Sequence, residues 1–178
     1  SAGITTSGLI FAGISTPPFT VLSQNTKSWN GSAWTELSDL NTDRYSLGGA
    51  GASNTAALAS TGNNGSSTQT ATESWNGSSW TEVNDVNTAR QGVSNAGIYT
   101  DALIAGGGPA TPALHANTEL WNGTSWTETS DMNNAVDNAD GGGSTSAAIS
   151  SGGQLPSVTD QAEAWVAPTT STVTFTAS

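Results

Sequence analysis

The sequence predicts an all-β fold assembled from repeated four-stranded antiparallel units. The main observation is a motif with two tryptophans around an Asn-Gly turn, which recurs every 46 residues as SWNGSAWTELSDLNT, SWNGSSWTEVNDVNT and LWNGTSWTETSDMNN. A degraded fourth copy, EAWVAPTTST, begins near residue 163. Repeats with a period of about 20 to 50 residues are typical of solenoids, propellers and arrays. We therefore expect about four modules in the chain.

The composition favours strands and turns over helices. Of the 178 residues, 34% are apolar and 10% are charged, and Gly, Ser, Thr, Asn and Ala fill much of the rest. These residues suit turns and short strands, and no apolar run has helical spacing. The length fits a single domain over residues 1–178. Its repeats fall at approximately 1–40, 41–86, 87–132 and 133–178.

The charge balance argues against two classes of partner. The formal net charge is −11, and the cations are Lys27, Arg44 and Arg90. A nucleic-acid-binding surface needs clustered Lys and Arg, so we expect no nucleic-acid partner. No apolar stretch approaches about 18 residues, the length of a transmembrane helix, so we expect no membrane insertion. The chain has no cysteine, which excludes disulfides and thiolate chemistry.

Each repeat divides into four predicted strands, which in the third repeat are 92–99, 102–107, 118–123 and 125–129. The Asn-Gly dipeptide between the last two strands predicts a two-residue type I′ hairpin, because that turn needs positive φ at both central residues. The predicted turn residues are Asn30 and Gly31, Asn76 and Gly77, and Asn122 and Gly123.

The tryptophans are predicted to form the core between modules. With Asn30 and Gly31 as the turn, Trp34 lies on the same sheet face as Trp29, at the diagonal position about 7 to 8 Å away. A face with two large aromatic side chains has to be covered, and a neighbouring copy of the sheet covers it. The predicted repeat core consists of Trp29, Trp34, Trp75, Trp80, Trp121, Trp126 and Trp165.

Stacked four-stranded units form either a radial propeller or a linear array. The first strand of each unit is rich in small residues, for example Gly48, Gly49 and Gly51 in the second repeat. Small residues suit inner strands that crowd around an axis, so we predict a propeller. The alternative is that these segments are merely weak strands.

The connection between the second and third strands carries the length variation. The interval from the second-strand Leu or Ile to the third-strand Trp is 20, 17, 18 and 16 residues in the four repeats. The interval from that Trp to the second-strand Leu or Ile of the next repeat is nearly constant, at 29, 28 and 28 residues. Such insertions gather on one face of repeat proteins, often the binding face. The predicted loops are 14–24, 63–70, 108–116 and 154–159, with candidate binding residues Pro17, Pro18, Asn63, Asn64, Pro109, Pro112, His115 and Pro156.

Over nearly the whole chain the repeat resembles the kelch family, whose blades have a Gly-Gly pair after the second strand, an aromatic residue on the third and a Trp that opens the fourth. The pairs at 106–107 and 152–153 and the seven tryptophans match this pattern. The resemblance implies a kelch-like β-propeller of four-stranded antiparallel blades. The pattern departs from the family at Ala12-Gly13 and Thr61-Gly62, in the spacing of five between the aromatics, and in having only four copies.

A second resemblance concerns function. The sequence of the segment TESWNGSSWTEVNDVNTAR is similar to repeat arrays in structural proteins of tailed phages, especially marine and freshwater ones. It implies that the chain works among virion proteins.

The two ends of the array differ. Residues 1–13 enter the repeat without the NTAR-type segment that precedes it elsewhere, and STVTFTAS replaces the tryptophan-bearing fourth strand at the other end. Alternating Val173 and Phe175 predict a terminal strand that caps or closes the ring. We expect the chain to be the last part of a longer polypeptide. Its four blades either close alone or complete a larger ring.

The recurring carboxylates are predicted to be structural, because a catalytic pair is normally single and its two groups have different surroundings. They are Glu36, Glu82 and Glu128, Asp39, Asp85 and Asp131, and Glu73, Glu119 and Glu163. The Asp-x-Asn segments that start at Asp39, Asp85 and Asp131 offer oxygens to Ca²⁺. The full calcium-loop pattern is missing, so turn formation is the favoured interpretation.

Two arginines and one histidine complete the candidates. Arg44 and Arg90 occupy equivalent positions, and their planar groups suit bidentate pairing with carboxylates of neighbouring blades. The alternative for both is ligand capture. His115 has no nucleophile or second histidine at a recognisable spacing, so we interpret it as an ordinary loop residue.

These observations predict a non-enzymatic structural or binding module, without cofactor or metal, in a phage virion or outside the cell. It would be a capsid decoration or a tail appendage or fibre. Its loops would contact other virion proteins or a cell-surface protein or glycan. A homo-oligomer is compatible with this interpretation. The alternative is a secreted lectin-like adhesive β-propeller of a bacterium. A third interpretation, a propeller hydrolase or oxidase, requires a metal or a titrating group near the axis.

Overall fold

The chain consists of strands and turns in all the parts that the structure describes. The structure is a computed structural model and describes residues 1–15, 21–109, 113–154 and 160–167. Within these ranges it contains fifteen β-strands and no helix. The predicted all-β class is therefore confirmed.

The strands form four antiparallel sheets, called blades 1 to 4, and each sheet lies within one predicted repeat. Blade 1 is β1 (Ala2–Ile4), β2 (Ser7–Ile14), β3 (Leu22–Trp29) and β4 (Trp34–Leu37). Blade 2 is β5 (Gly48–Ser53), β6 (Ala56–Ser60), β7 (Thr72–Trp75) and β8 (Trp80–Val83). Blade 3 is β9 (Ser94–Ile98), β10 (Asp101–Ala105), β11 (Thr118–Trp121) and β12 (Trp126–Glu128). Blade 4 has three described strands, β13 (Asp140–Ser144), β14 (Ala147–Ser151) and β15 (Ala162–Val166).

The antiparallel order places the connections on two opposite rims. Within each blade the strands pair in sequence order. The loop from the second to the third strand therefore leaves at the same edge as the connector to the next blade, and we call this edge the upper rim. The turn between the first two strands and the Asn-Gly hairpin lie at the opposite edge, the lower rim.

The first strands of the blades line a central hub. Strand β1 packs on β5, β5 packs on β9, and β9 packs on β13. A Cβ atom on Gly49 would lie 2.8 Å from the carbonyl oxygen of Ser1, and one on Gly141 would lie 2.6 Å from the backbone nitrogen of Asn95. Such distances leave no room for a side chain, which explains why the inner strands are rich in glycine.

The apolar cores lie between adjacent blades. Blade 1 contributes Leu9 and Phe11 to the first core, and blade 2 contributes Ala57, Ala59, Trp75 and Trp80. The second core joins the opposite side of blade 2, with Leu58, to Ala102, Ile104, Trp121 and Trp126 of blade 3. Each blade thus turns its tryptophan face to the preceding blade and its opposite side, the aliphatic face, to the following one.

The four blades form an open, propeller-like arc. Blades 1 and 4 both border a hub cavity of about 540 Å³, but no packing like that between successive first strands joins β13 to β1 in the described ranges. Of the two predicted alternatives, closure of the four blades on their own is therefore not what the described residues form. The predicted terminal strand with Val173 and Phe175 lies outside the described residues.

The Asn-Gly hairpins are four-residue loops, so the predicted two-residue turns are wrong. Trp29 pairs directly with Trp34, and the backbone N–H of Asn30 donates to the carbonyl of Ala33 over 3.3 Å. Gly31 has a φ of 94°, whereas Asn30 has no positive φ, which excludes type I′. The Asn30 side chain accepts hydrogen bonds from the N–H groups of Ser32 and Ala33, and these bonds stabilise the longer loop.

One position at the outer part of the second strand or just after it has the same left-handed backbone in all four blades, and in blade 1 it forms a bulge within β2. Gly106 and Gly152 have φ values of 68° and 67°, and their counterparts Ala12 and Thr61 have 60° and 63°. The repeats therefore share the conformation even where they do not share the glycine. An alanine or a threonine in this region is strained.

Candidate functional site

The tryptophan pairs are the most regular feature of the blades. The ring centroids of Trp75 and Trp80 lie 5.4 Å apart with an interplanar angle of 44°, and the pairs in blades 1 and 3 have the same spacing. The spacing is shorter than the predicted diagonal one because the two residues are direct cross-strand partners. Both side chains lie in the core between blades 1 and 2.

In blades 2 and 3 the two indole N–H groups of the pair donate in different directions. Trp75 Nε1 donates to the carbonyl of Asn54 over 3.0 Å, which ties the lower-rim turn of its own blade. Trp80 Nε1 donates to the hydroxyl of Thr26 in blade 1 over 2.9 Å. Trp126 Nε1 repeats this contact with Thr72 of blade 2 over 3.1 Å. The second indole of a pair therefore links neighbouring blades.

Sequence reasoning missed the threonine acceptors of these bonds. Thr26, Thr72 and Thr118 recur at intervals of 46 residues, and all three are buried. The period was a usable signal, because a repeated threonine on a core-facing strand position has to bond its hydroxyl somewhere.

The tryptophans at the two ends of the arc are less buried than predicted. Trp34 is 50% exposed, whereas its counterpart Trp80 is 5% exposed. Trp29 and Trp165 are half-buried. The physical reason for blade 1 is that, among the residues that the structure describes, no blade packs on its tryptophan face.

The predicted arginine bridges form buried ion pairs at the connectors between blades. Arg44 Nη2 donates to Glu73 Oε1 over 2.9 Å, and Arg44 Nη1 donates to the carbonyls of Thr61 and Ala71. The backbone carbonyl of Arg44 accepts from Gly13 N in blade 1 over 2.9 Å. One residue thus joins blade 1, through its backbone, to blade 2, through its side chain.

The same joint recurs after blade 2 and changes after blade 3. Arg90 pairs with Glu119 over 2.8 Å. In the third connector Val136 replaces the arginine, and the carboxylate of Glu163 instead accepts four hydrogen bonds from the backbone and side chains of Asn133 and Asn134. The alternative of ligand capture by the arginines is disfavoured, because both guanidinium groups are buried and paired.

The Asp-x-Asn segments serve the same joint. Asn41 donates to Glu73 Oε2 from both its backbone and its side chain, each over 2.8 Å. Asp39 accepts a hydrogen bond from the N–H of Thr26. Asn41 thus acts as a donor in the joint, and these contacts use only one oxygen, Asp39 Oδ1, of those that the sequence offered as calcium ligands. Within the described ranges, no group of three or more His, Cys, Asp or Glu side chains is placed to hold a metal ion.

Burial sets the ionisation of the joint. Desolvation lowers the pKa of Arg44 and of Arg90, and the neighbouring Glu73 and Glu119 oppose the shift. At Glu163 desolvation raises the pKa, but the hydrogen bonds from Asn133 and Asn134 outweigh it, so the pKa lies below its ordinary value. The carboxylate of Glu163 is thereby held as a hydrogen-bond acceptor.

The upper rim holds the predicted binding loops, and its described part divides into anchors and exposed residues. Asn63 is 3% exposed, so its prediction as a binding residue is wrong; its side chain accepts from Gly65 N over 2.7 Å and shapes the loop. Asn64 accepts from the N–H groups of Ser66 and Ser67. The residues that this loop presents to solvent are Gly65, Ser66 and Ser67.

The loop of blade 3 is described only at its two ends. Pro109 and His115 are half-buried, and His115 N donates to the carbonyl of Gly107 over 2.7 Å. The remaining candidates, Pro17, Pro18, Pro112 and Pro156, lie outside the described residues.

Among the described residues, no helix is long and apolar enough to cross a membrane. A small cavity of about 80 Å³ between blades 3 and 4 is lined by residues that include Leu103, Thr118 and Met132. Its lining also includes Ser94, Ser150 and Glu163. The two serine hydroxyls bond each other, and the carboxylate of Glu163 accepts from Asn133 and Asn134.

Comparisons with known proteins place the chain by its fold. No protein-family model and no curated protein matches the sequence. The structure is similar to the solved structure of YjhT, with a TM-score of 0.69 and 10% sequence identity, over 79% of this chain and 49% of that chain. The chain thus spans about half the length of the structure that it matches. In all, 135 solved chains match this structure. One fold can carry many different functions, so the match does not indicate an activity.

Proposed function

We propose that the chain is a non-catalytic structural and binding module of a phage virion, a kelch-type propeller segment in a capsid decoration or a tail appendage. The observation that carries this proposal is a division of labour within the repeat. The repeated polar residues bond to one another and connect neighbouring blades. The residues that vary in number and type lie in loops on the upper rim.

The body of the module is built for rigidity. The first two connectors are tied to the next blade through a buried carboxylate, as in the pair of Arg44 with Glu73, and the third is tied through the partly exposed Glu163. Each candidate for chemistry in these joints, arginine, glutamate or asparagine, already has a structural partner. A recurrent, fully bonded carboxylate is poorly suited to acid-base catalysis, which needs a group free to exchange protons with a substrate.

The upper rim is built for display. The four loops leave the same edge of the arc because the strand order is the same in each blade. In the second blade the side chain of Asn64 fixes the loop backbone, so that Ser66 and Ser67 face solvent. Rigid loops that offer hydroxyl and amide groups suit contact with a protein or a glycan, since little conformational entropy is lost on binding.

The resemblance of the repeat sequence to structural proteins of tailed phages supports a phage virion as the location of the module. A net charge of −11 keeps such a surface soluble and repels nucleic acid. Virion or extracellular residence, with other virion proteins or a cell-surface protein or glycan as partner, follows as part of the proposal.

A matched pair of serines tests the role of the rim. Asn64-Gly65-Ser66 on the upper rim and Asn76-Gly77-Ser78 on the lower rim have the same sequence, and both serines are exposed. Ser66→Arg should weaken binding of the labelled chain to particles from its source, or to the bound glycan on an array, at least tenfold. Ser78→Arg should leave that binding within about twofold.

The outcomes separate the candidate functions. Immunogold electron microscopy that labels virions supports the proposal. Glycan binding without virion association replaces it with the lectin-like adhesin of a bacterium. Equal loss of binding with both serine variants, or none with either, contradicts a binding rim.

A further inference from the structure

The two end faces of the arc correspond to the two sides of the apolar interface that successive blades form inside the chain. In this subsection, that packed interface between two blades is called the joint. Between blades 1 and 2, the tryptophan face with Trp75, Trp80 and Ala59 covers Leu9 on the aliphatic face. Between blades 2 and 3, the tryptophan face with Trp121 and Trp126 covers Leu58. The polarity is the same each time.

At the ends of the arc both faces are open to solvent. The tryptophan face of blade 1 exposes Trp34 by 50% and Ile10 by 44%. The aliphatic face of blade 4 exposes Ile149 by 52% and Val166 by 70%. By strand register, Ile149 stands where Leu9 and Leu58 stand in blades 1 and 2. Exposed apolar surface of this kind marks interaction sites.

We infer that the tryptophan face of blade 1 binds the aliphatic face of blade 4 of a second copy, so that the chain associates head to tail. The contact continues the joint already present in the arc, with Trp34 in the role of Trp80 and Ile149 in the role of Leu9. Such a heterologous contact either closes into a ring or propagates as a filament. The inference does not depend on the proposed virion role.

Lys27 favours a second copy over a further repeat linked through a connector of the same kind. In blade 2 the equivalent position is Glu73, which accepts hydrogen bonds from Asn41 and Arg44 of the preceding connector. A lysine cannot accept them, and it would repel an arginine. Residues 167–178, which follow blade 4, contain neither Asn nor Arg, so this segment differs from the connectors that supply donors to Glu73 and Glu119.

One position of the joint differs and offers a gain-of-function test. The indole of Trp80 bonds the hydroxyl of Thr26, whereas by register Ala162 occupies the corresponding position in blade 4. The contact between copies therefore lacks this hydrogen bond. Ala162→Thr supplies the missing hydroxyl and should strengthen self-association about threefold to tenfold.

Sedimentation equilibrium of the purified chain over a wide concentration range is the primary test. We expect concentration-dependent association that high salt strengthens, because the joint is apolar and the copies repel each other through their net charge of −11. Trp34→Arg and Ile149→Arg should each reduce it more than tenfold. Ile98→Arg is the matched control, since Ile98 is 42% exposed on blade 3, away from both end faces, and should associate like the unaltered chain.

A mixing experiment tests the polarity. Trp34→Arg keeps an intact aliphatic face and Ile149→Arg keeps an intact tryptophan face, so an equimolar mixture should form a 1:1 dimer that neither variant forms alone. Circular dichroism and Tm verify that both variants are folded. A chain that stays monomeric at all concentrations overturns the inference. So does association that survives Trp34→Arg, or a mixture that remains monomeric. Ile149→Arg that still self-associates also overturns it, because a symmetric contact between two tryptophan faces would have that result.

Discussion

Trp80 donates its indole N–H to the hydroxyl of Thr26, a residue 54 positions earlier in the chain, over 2.9 Å. Trp126 and Thr72 make the same contact across the same sequence separation. The bond crosses from one blade to the one before it and lies in the buried core. Because a buried indole N–H without a partner is costly, this bond fixes how far one blade can slide along its neighbour.

The contrast between buried and exposed tryptophans predicts unequal effects of truncation. Trp80→Ala should destabilise the chain by about 3 to 5 kcal/mol, because it leaves a cavity between two blades. Trp34→Ala should cost much less, on the order of 1 kcal/mol, since its side chain is 50% exposed. Urea unfolding at a concentration where the chain is monomeric measures both. Equal losses would contradict the open end of the arc.

The buried ion pair of Arg44 and Glu73 predicts a large effect of removing one partner. Arg44→Val should destabilise the chain by about 3 to 5 kcal/mol, because it leaves the carboxylate of Glu73 buried without its main counter-charge. The fold itself provides the control. In the third connector Val136 and Asn134 replace the arginine arrangement, and Glu163 bonds the asparagine.

The double variant Thr42→Asn with Arg44→Val copies that natural arrangement into the first connector. It should recover a substantial part of the stability that Arg44→Val alone loses, because the introduced amide side chain would then supply donors to the freed carboxylate oxygen of Glu73. Thermal unfolding of the single and double variants decides the matter. No recovery would show that the two connectors are not equivalent.

The shared left-handed backbone position predicts opposite effects of substitution at its glycine and its alanine. Gly106→Ala should destabilise the chain by about 1 to 2 kcal/mol, and its new Cβ would also lie 2.7 Å from the carbonyl oxygen of Val136. Ala12→Gly relieves the strain of an alanine at a φ of 60° and should be neutral or stabilising by up to about 1 kcal/mol. A clear loss of stability with Ala12→Gly in denaturant titrations would contradict the shared backbone conformation.

Asp137 predicts a pH-dependent gain of stability. Burial raises the pKa of its carboxyl group, opposed by a hydrogen bond from the backbone of Asn138, and Asp137 Oδ1 is buried without a hydrogen-bond partner. The charged form therefore destabilises the fold at pH values above this raised pKa, and the penalty disappears below the ordinary pKa of about 3.9. Asp137→Asn should raise the Tm by about 1 to 2 °C at pH 7.

The gain from Asp137→Asn should shrink as the pH falls and vanish near pH 3, where the carboxyl group is neutral in both states. Asp160→Asn, on an exposed aspartate just before β15, is the control. A gain that does not change with pH would show that the carboxylate charge is not its cause.

The sequence was sufficient for the fold because the repeat carries its signals in every copy. The period, the paired tryptophans and the glycine-rich first strands together predict stacked four-stranded sheets around a hub, and the structure has them. The hairpin type was not predictable from the Asn-Gly dipeptide, because side-chain bonds of Asn30 compete with the backbone preference.

The limits of prediction at the site have a similar physical origin. Whether the arc closes depends on the angle between successive blades. Many small packing contacts together set this angle, so no local sequence pattern predicts it. The burial of Asn63 was not predictable because loop residues are usually exposed, and here a backbone bridge to Tyr45 draws the residue inward.

In blades 2 and 3 the second indole of the pair locks its blade onto the preceding one, and within the described residues the second indole of blade 1 has no such partner. Hydrogen exchange of the seven indole N–H protons, followed by NMR in the Ile149→Arg variant to keep the chain monomeric, tests this lock directly. We expect Trp80 and Trp126 to exchange only through unfolding, while Trp34 exchanges within minutes. Equally fast exchange at Trp34, Trp80 and Trp126 would contradict it.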